Sequence, residues 1–375
     1  MKAVSEKIIA FTGGGTGGHV YPGLAVAEAL REKGFCGRIV WLGSKKESDR
    51  TAVEGAGIEF IALPSGKLRR QLSLENAADA FRVLAGYIAA RRELKRLAPA
   101  LLFSKGGYVS VPPCAAAASL GIPYFTHESD LTPGLATRLN AKKAEHIVIS
   151  YEATRALLPE AVRGRAVVAG NPVRAEISRG DRAKGRSLLG LDKDPSLRDL
   201  PVIFFLGGSQ GARQVNQLVA ESLSRLTEKA FVLHQGGPGA SSAAGSENTR
   251  YRFYQYIREE MPDLLASADL VVGRSGASTL WESSALAKPM LLVPLCGSGT
   301  RGDQVDNAEF FVRSGAAISL VGNKATADAL VAEALKLVGD AKKLAEMGQA
   351  AAALAGGNAA SEIADLILHK IGEAP

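Results

Sequence analysis

Short apolar runs, rich in β-branched and aromatic residues, alternate along the chain with longer amphipathic stretches. This alternation is typical of parallel strands joined by crossover helices. In the first half it predicts strands at residues 7–12, 38–42, 59–62, 101–104, 124–126, 146–149 and 166–168. In the second half it predicts strands at residues 202–206, 231–235, 270–273, 290–294 and 317–321. The pattern therefore predicts an α/β protein with two doubly wound domains.

Both halves begin with a strand, a glycine-rich loop and a helix, which read IIAFTGGGTGGHV in the first half and VIFFLGGSQGARQVN in the second. We therefore expect a tandem of Rossmann-like domains over residues 1–172 and 173–358. The linker is expected near residues 171–174, before a charged segment at 179–200 that Gly and Pro interrupt. A ligand would then lie between the domains, at the carboxyl ends of both sets of strands. The last helix, within residues 359–375, either completes the N-terminal domain or packs on the other one.

The composition is that of an ordinary folded protein, with 46% hydrophobic and 22% charged residues in a chain of 375. Cys36, Cys114 and Cys296 form no CxxC pair, which excludes a disulfide framework and a structural zinc site and favours a reducing compartment. No apolar run approaches the roughly 18 residues that span a bilayer, so we expect neither a spanning segment nor a signal peptide. A net charge of +7 is too small for a dedicated nucleic-acid-binding protein of this length.

The first glycine loop satisfies GxGxxG at residues 13–18, after a strand and before a helix. Small residues let the backbone approach a diphosphate, and the amides at a helix start donate to it. The dinucleotide motif also needs an acid at the end of the second strand, where this chain has Lys45 and Lys46, so NAD is disfavoured and NADP stays open. A P-loop is excluded because His19 and Val20 follow the last glycine. The loop therefore predicts an anion or sugar-phosphate contact, or a tight turn alone.

His19 is the first candidate for catalysis, because we expect it in the first turn of a helix. The positive helix end opposes formation of the imidazolium, and a neutral imidazole acts as a general base near pH 7. The alternative is a histidine that caps the helix or satisfies a buried polar group.

The second half carries candidate groups for a nucleotide. Ser209 and neighbouring amides of the second glycine loop offer donors to a phosphate, and so does the strand-to-helix turn near Ala277. Glu282, further along that helix, is suited to bind both hydroxyls of a ribose, although it could equally be an ordinary acid in a first helical turn. Asp192 and Asp194 form a DxD string, which we interpret as a solvated turn in the linker. We therefore expect no metal, and expect helix ends and amides to meet the charge of a leaving group.

Together, these motifs resemble the MurG family of glycosyltransferases. The matching segments occur in the family's order over almost the whole chain and read TGGGTGGHVYPGLAVAEAL, SKGGYVSVP, HESDLTPG, GNPVR, LGGSQGARQVN, RSGASTLWE and RGDQVDNAEFF. The resemblance implies a GT-B fold, with two Rossmann-like doubly wound domains facing each other across a cleft. It also implies inverting transfer of N-acetylglucosamine from UDP-N-acetylglucosamine to the 4-hydroxyl of N-acetylmuramic acid in lipid I, without a cofactor.

The resemblance assigns donor contacts to positions throughout the chain. It places Thr16, Gly17 and Gly18 at the diphosphate or sugar, Arg174 and Ser209 at the phosphates, Ile257 at the uracil, Ala277, Ser278 and Thr279 at the nucleotide turn, Glu282 at the ribose and Gln304 at the N-acetylglucosamine hydroxyls. Asp130 stands where many members have an asparagine that contacts the donor, and a carboxylate there would repel a diphosphate. For catalysis the resemblance favours His19 as the base, with Glu128 and Tyr108 on the acceptor side.

A basic segment gives the chain a predicted membrane surface. Residues 66–98 hold eight basic residues against three acidic ones, or +5 of the net +7. An apolar face at helical spacing runs through this segment, and we expect most of it to pack on the sheet; it consists of Leu74, Ala77, Ala78, Phe81, Leu84, Ala85 and Ile88. The preceding loop, with Lys67, Leu68, Arg69, Arg70 and Leu72, is predicted to rest on anionic lipid at the cytoplasmic face of the bacterial membrane. The protein would then be peripheral and close to other proteins of cell-wall synthesis.

Three alternatives stay open at this point. A UDP-sugar epimerase or another GT-B transferase would keep the glycine loops and Glu282 but needs no cationic loop. A non-catalytic nucleotide-sugar sensor would bind the donor and tolerate loss of His19. An NADP-dependent oxidoreductase fits the GxGxxG loop, but nothing in the second half supplies a site for hydride transfer.

Overall fold

A computed structural model describes residues 7–66, 74–207, 211–244, 248–297 and 300–373, with residues 74–78 described as backbone only. The chain divides into two compact units. Unit 1 comprises Met1–Pro172 and Gly357–Pro375, and unit 2 comprises Val173–Gly356.

Unit 1 contains one parallel sheet, in which the described strands have the order β3-β2-β1-β4-β5-β6-β7. The strands are β1 Ile8–Thr12, β2 Arg38–Gly43, β3 Glu59–Ala62, β4 Leu101–Ser104, β5 Tyr124–Glu128, β6 His146–Ile149 and β7 Ala166–Val168. The helices are α1 Tyr21–Glu32, α2 Glu47–Gly55, α3 Leu74–Leu97, α4 Val111–Leu120, α5 Leu135–Asn140, α6 Glu152–Leu157, α7 Glu160–Arg163 and α16 Ala359–Lys370. Each predicted strand of the first half is present, and β5 extends two residues beyond its predicted end.

Helices cover both faces of this sheet, because successive side chains of a strand point to opposite faces. Ile9 and Phe11 belong to one buried cluster, whereas Ala10 belongs to another. Phe11 aligns with Trp41 on β2, and the two rings stack with centroids 5.7 Å apart. The last helix, α16, buries Ile363 in the same cluster as Phe11 and therefore packs on unit 1.

Unit 2 repeats the architecture with the strand order β10-β9-β8-β11-β12-β13 among the described residues. The strands are β8 Val202–Leu206, β9 Phe231–Gln235, β10 Tyr251–Tyr254, β11 Leu270–Gly273, β12 Met290–Leu292 and β13 Ala317–Ser319. The helices are α8 Ala175–Ser178, α9 Arg182–Leu188, α10 Arg213–Thr227, α11 Met261–Ser267, α12 Ala277–Ala285, α13 Asp303–Arg313, α14 Ala327–Val338 and α15 Ala341–Ala355.

Strand β10 is absent from the prediction made from the sequence. It is a short edge strand with an arginine inside an aromatic run, and only Tyr251 of its residues is buried. An edge strand of this kind pairs with one neighbour, β9, and buries little apolar surface. Its sequence therefore lacks the continuous hydrophobic run from which the other strands were predicted.

The charged segment at 179–200 belongs to unit 2, so the interpretation that the DxD string lies in the linker is wrong. It contains α9, whose N-cap Asp181 accepts a hydrogen bond from the Lys184 amide. Gly180 and Gly185 allow α9 to approach α11, since a Cβ on Gly185 would lie 2.0 Å from the Asp263 carbonyl oxygen. Asp194 accepts hydrogen bonds from the amide and hydroxyl of Ser196 and forms a solvated turn, but this turn lies within unit 2.

The prediction that the apolar face of α3 packs on the sheet is wrong for the side chains that the structure describes. Phe81, Leu84 and Ile88 are 74%, 55% and 60% exposed. The opposite side of the helix packs against the body of the unit. Gly86 on this side is so close to the Pro64 carbonyl oxygen that an added Cβ would lie only 2.3 Å from it. None of the helices in the described ranges is long and apolar enough to cross a membrane.

In each unit the first strand lies between two others and marks the point where the strand order reverses. β1 pairs with β2 and β4, and β8 pairs with β9 and β11. Ligands of doubly wound sheets bind beyond the carboxyl ends of the strands at this point. Ligand-binding groups are therefore expected on the loops that follow β1, β4 and β5 in unit 1, and β8, β11 and β12 in unit 2.

Candidate active site

The loop after β1 has a shape that only glycine adopts easily. Gly14 and Gly15 have φ angles of 148° and 86°, and a Cβ on Gly15 would lie 2.7 Å from the Tyr108 ring. The loop continues into a 3-10 turn, Gly17–His19, and α1 begins only at Tyr21. His19 therefore lies just before the helix and not in its first turn, because it is the last residue of the 3-10 turn and only Val20 stands between it and α1.

A buried carboxylate anchors this loop. One oxygen of Asp49, Oδ2, accepts hydrogen bonds from the Gly15 amide at 2.6 Å and from the Ser44 hydroxyl at 2.9 Å. Lys46 donates through Nζ to the Gly15 carbonyl at 3.0 Å. Asp49 is 3% exposed and lies in the first turn of α2. Asp49 does not stand directly at the end of the second strand, where a dinucleotide motif has its acid. Asp49 follows the two lysines and becomes adjacent to the glycine loop only when β2 pairs with β1.

The imidazole of His19 is oriented by two neighbours. Its Nδ1 lies 2.8 Å from the Thr16 hydroxyl. Its ring packs against the backbone at Gly107, where a Cβ would lie 3.1 Å from Cγ and Cδ2. When Nδ1–H donates to Thr16, the lone pair of the neutral ring is on Nε2, which can then accept a proton.

The loop after β4 contains a buried lysine that the sequence analysis did not single out. Lys105 is 1% exposed, and its ammonium group donates to the Ser129 hydroxyl. Burial lowers the pKa of Lys105 to about 8, although the charges of Glu128 and Asp130 oppose this shift. A cationic residue at the end of an apolar strand, as in LLFSK, was the available indication.

Glu128, at the end of β5, is a buried carboxylate with both oxygens bound. Oε1 accepts from the Asp130 amide at 3.1 Å, and Oε2 accepts from the Gly134 amide at 2.9 Å. These bonds shape the turn that carries Asp130. Glu128 therefore positions this turn, and its carboxylate lies close enough to Lys105 to act on the pKa of that group.

Tyr108 and His127 are both uncharged near neutral pH. Burial raises the pKa of Tyr108, and the carboxylates of Asp49 and Asp79 raise it further. Burial, together with the charge of Lys105, holds the pKa of His127 well below its ordinary value. His127 Nε2 donates to the Gly170 carbonyl at 2.9 Å, since a carbonyl oxygen can only accept. Tyr108 thus offers a hydroxyl that donates or accepts a hydrogen bond, but no phenolate.

The first candidate group of unit 2 is a partly buried ion pair. Arg174 Nη2 lies 3.6 Å from Glu282 Oε1, and Arg174 Nη1 contacts Glu176 at 2.8 Å. Burial raises the pKa of Glu282, while Arg174 opposes the shift and favours the carboxylate. Glu282 lies in the second turn of α12, so the prediction that placed it on this helix beyond the nucleotide turn agrees with the structure.

The first turn of α12 contributes backbone donors. Ala277, Ser278 and Thr279 open the helix after Gly276, and the first amides of a helix have no partner within it. Nearby, Arg274 donates to the Gln214 side chain and to the Val293 carbonyl, both at 2.9 Å. Burial lowers the pKa of Arg274, which nevertheless stays charged near pH 7.

Gln304 and Ile257 are held by backbone contacts. The side-chain oxygen of Gln304 accepts from the Leu295 amide at 2.9 Å, and its main-chain oxygen accepts from the Ser275 hydroxyl at 2.6 Å. A ligand contact through the Gln304 amide nitrogen is therefore made as a donor. Ile257 is buried, and its amide donates to Gln235 Oε1 at 2.8 Å.

Comparison with known proteins matches both units to one family. The description "Glycosyltransferase family 28 N-terminal domain" matches residues 9–149, and "Glycosyltransferase family 28 C-terminal domain" matches residues 202–367. A protein of Treponema denticola is 46% identical over 96% of this chain and 97% of its own length. A protein of Treponema pallidum is 41% identical over 96% and 94%. Both are named UDP-N-acetylglucosamine--N-acetylmuramyl-(pentapeptide) pyrophosphoryl-undecaprenol N-acetylglucosamine transferase.

This chain is a member of the MurG family of glycosyltransferases. Its fold is also similar to that of solved structures. MurG from Acinetobacter baumannii superimposes with a TM-score of 0.71 at 24% identity, covering 97% of this chain and 99% of that one. The calicheamicin glycosyltransferase CalG4 gives 0.67 at 16% identity, covering 98% and 99%. These structural likenesses show the GT-B fold alone. The sequence relatives show the family, and a glycosyltransferase family excludes the oxidoreductase alternative.

Some residues assigned by the MurG-family resemblance lie outside the described part of the chain. These are Ser209 in the second glycine loop, and Lys67, Leu68, Arg69, Arg70 and Leu72 in the loop before α3. The other assigned residues of unit 1 lie at the end of β5, which is Glu128, and in the segments that follow β1, β4 and β5. Those of unit 2 lie on α12, on α13 and in the segments that precede α8 and α11.

Proposed function

We propose that this protein transfers N-acetylglucosamine from UDP-N-acetylglucosamine to the 4-hydroxyl of N-acetylmuramic acid in lipid I, with inversion at the anomeric carbon, to give lipid II. The observation that carries the proposal is the 46% identity, over nearly all of both chains, with a transferase named for this donor and acceptor. The chemistry at the strand ends of the two units supports it.

Unit 2 supplies the contacts for the nucleotide of the donor, while Thr16, Gly17 and Gly18 of unit 1 face its diphosphate or sugar. The carboxylate of Glu282 accepts hydrogen bonds from both ribose hydroxyls, and the nearby guanidinium of Arg174 favours its ionised form against the opposing effect of burial. The amides that open α12 bind phosphate oxygens, as helix N-termini do, with help from Ser209 and Arg174. Ile257 lies against the uracil, and Gln304 donates through its amide nitrogen to a hydroxyl of the sugar.

Unit 1 supplies the base and the acceptor contacts. His19 Nε2 takes the proton of the 4-hydroxyl while that oxygen forms a bond to the anomeric carbon of the donor. The bond from this carbon to the β-phosphate oxygen breaks on the opposite side, and UDP leaves with the electron pair. In this step the Thr16 hydroxyl accepts from Nδ1–H of His19, and the lone pair of the ring is then on Nε2. Tyr108 and the turn organised by Glu128 orient the acceptor.

The negative charge of Asp130 is balanced by a nearby cation of unit 1, Lys105. The ammonium group of Lys105 acts on both Asp130 and Glu128. This balance lets an ionised Asp130 stand in the acceptor turn without leaving an uncompensated negative charge. Asp130 is therefore assigned to this turn and not to the donor diphosphate.

We also propose that α3 and the loop before it rest on anionic lipid at the cytoplasmic face of the membrane. Phe81, Leu84 and Ile88 form an exposed apolar stripe on α3, and Arg91 and Arg92 are exposed one turn further along. Apolar side chains enter the headgroup region, while each basic residue near an anionic surface contributes about 1 kcal/mol. The stripe and the basic residues together match the surface of an anionic bilayer.

UDP release from UDP-N-acetylglucosamine in detergent, with and without a lipid I analogue, tests the transferase activity. We expect release only with the analogue, together with a disaccharide product in β linkage. Release of UDP, or a new sugar nucleotide, in the absence of the analogue would indicate a hydrolase or an epimerase. Binding of the donor without any product would support the sensor alternative.

Sedimentation with vesicles tests the membrane surface. The triple variant Phe81→Ser, Leu84→Ser and Ile88→Ser should lose most of its binding to vesicles that contain anionic lipid. Leu157 and Leu188 are similarly exposed, at 46% and 44%, on other helices, so Leu157→Ser with Leu188→Ser is the matched control and should bind normally. Equal binding of the wild type to neutral and anionic vesicles would contradict the proposal.

A further inference from the structure

Asp49 is a buried carboxylate that has no part in the proposed reaction. It is held at 3% exposure by the packing of α2 against β2 and β3. The same oxygen that accepts from the Gly15 amide at 2.6 Å also accepts from the Ser44 hydroxyl at 2.9 Å. A Cβ on Gly14 would lie 2.6 Å from this oxygen. The loop and the carboxylate are therefore in direct contact along two successive residues.

Side chains from β2 and from the start of α2 make three hydrogen bonds to the glycine loop, and the contact with Asp49 is one of them. Trp41 Nε1 donates to the Gly13 carbonyl at 3.1 Å, and Lys46 Nζ donates to the Gly15 carbonyl at 3.0 Å. Thr16 comes directly after the last anchored residue, and its hydroxyl contacts His19. The position of the His19 ring thus depends on how the backbone is held at Gly15.

The contact also changes what the glycine loop can bind. In a GxGxxG loop, free backbone amides donate to the oxygens of a diphosphate. Here the Gly15 amide already donates to an internal carboxylate at 2.6 Å, which makes a short, charge-assisted hydrogen bond. A phosphate oxygen at this amide would have to displace Asp49 and would be repelled by its charge.

We propose that Asp49 is a positioning residue, which holds the glycine loop so that His19 is aimed at the acceptor and which keeps the Gly15 amide closed to phosphate. The first role rests on the proposed function, because it assumes that His19 is the base. The second role does not, since it concerns only the binding of an anion to the loop.

Two substitutions of Asp49 separate these roles. Asp49→Ala removes the acceptor, and we expect kcat to fall about tenfold to a hundredfold through misplacement of His19. The KM for UDP-N-acetylglucosamine should change by less than about twofold, because the contacts proposed for its nucleotide lie in unit 2. Asp49→Asn keeps an oxygen that can accept from the Gly15 amide, so it should retain most of the turnover. Glu47→Gln is the matched control, since it removes an exposed charge from the same helical turn.

Inorganic pyrophosphate is the probe for the second role. At saturating UDP-N-acetylglucosamine, it should inhibit Asp49→Ala more strongly than the wild type or Glu47→Gln. In protein labelled with 15N-glycine, the Gly15 amide proton should resonate far downfield in the wild type and should not respond to pyrophosphate. In Asp49→Ala the resonance should move upfield and shift when pyrophosphate is added.

Separate outcomes overturn each role. A kcat of Asp49→Ala within twofold of the wild type would exclude the positioning of His19. A Gly15 resonance that does not respond to pyrophosphate in Asp49→Ala would exclude the closed amide, and this holds whether or not the protein is a transferase. If the alanine variant fails to fold, Asp49→Asn decides: its weaker, neutral acceptor should move the Gly15 proton upfield, and an unchanged proton shift would contradict the contact.

Discussion

The two units begin with the same succession of strand, glycine loop and helix, yet the charged groups at their strand ends differ. In unit 1 carboxylates are in excess there, since Asp49, Glu128 and Asp130 accompany the single buried ammonium group of Lys105. In unit 2 the guanidinium groups of Arg174 and Arg274 accompany the carboxylate of Glu282 and the first amides of α12.

This difference separates two kinds of chemistry that one loop pattern could host. An anionic nucleotide is attracted to cations and helix amides, which is why we assign the nucleotide to unit 2. Proton transfer from a hydroxyl needs a base and hydrogen-bonding groups, and we assign these roles to His19 and the turn at Glu128 in unit 1. A GxGxxG loop therefore does not identify a phosphate site until the partners of its amides are known.

The largest effect is expected at His19, and it tests the chemistry assigned to unit 1. His19→Ala should lower kcat by about a hundredfold or more, since it removes the general base. The KM for UDP-N-acetylglucosamine should be little affected. Steady-state kinetics with the lipid I analogue measures both constants. His369→Ala, at an exposed histidine of α16, is the control, and a loss of only a few-fold for His19→Ala would disprove the assignment.

Glu282→Gln tests the nucleotide site of unit 2. The glutamine keeps the shape but loses the charge-assisted hydrogen bonds to the ribose, so the Kd for UDP should rise about tenfold to a hundredfold. Titration calorimetry with UDP measures this change. Glu309→Gln removes an exposed carboxylate from α13 and should leave the affinity unchanged. Equal affinities of the Glu282→Gln variant and the wild type for UDP would show that Glu282 does not bind the ribose.

Gly107→Ala tests how closely the backbone of unit 1 holds the base. The added Cβ would lie 3.1 Å from the His19 ring, at a residue with a φ of 75°. We expect kcat to fall about tenfold because the imidazole is displaced. Gly121→Ala is a matched control: its φ is 69°, but its Cβ would meet no atom within 4 Å. Both variants bear the backbone strain, so similar activities would contradict the contact with His19.

Lys105→Met tests the cost of the buried ammonium group in unit 1. The folded-state pKa of Lys105 is about 8, against an ordinary value of 10.5. Below pH 8 both the folded and unfolded states are protonated and the burial penalty is fully present. As the pH rises from 8 towards 10.5, the folded state loses its proton first and the penalty disappears.

The free energy of unfolding of the wild type should consequently rise by about 1 kcal/mol between pH 8 and pH 9 relative to Lys105→Met. Urea unfolding at a series of pH values measures the difference. Lys288 in unit 2, whose pKa burial also lowers to about 8, contributes equally to both proteins and cancels. Parallel curves for the two proteins would show that Lys105 is not destabilised by burial.

The sequence predicted the sheets well because parallel, doubly covered strands are continuous apolar runs, such as VIFFL in β8. It failed where burial is partial. The edge strand β10 has no such run. In α3, the side that carries Gly86 approaches the rest of unit 1, and this close approach decides which face of the helix is exposed. Periodicity reveals that a helix has an apolar face, but not whether that face is covered.

The candidate site divides in the same way. The sequence by itself determined the order of the strands along the chain, the positions of the glycine loops after them, and the family through motifs spread over both halves. These properties follow from local residue types and their spacing. Only the tertiary structure decided that Asp49 occupies the Gly15 amide and that Lys105 is buried beside Glu128, because both contacts join residues from separate strand ends and exist only after the strands have paired.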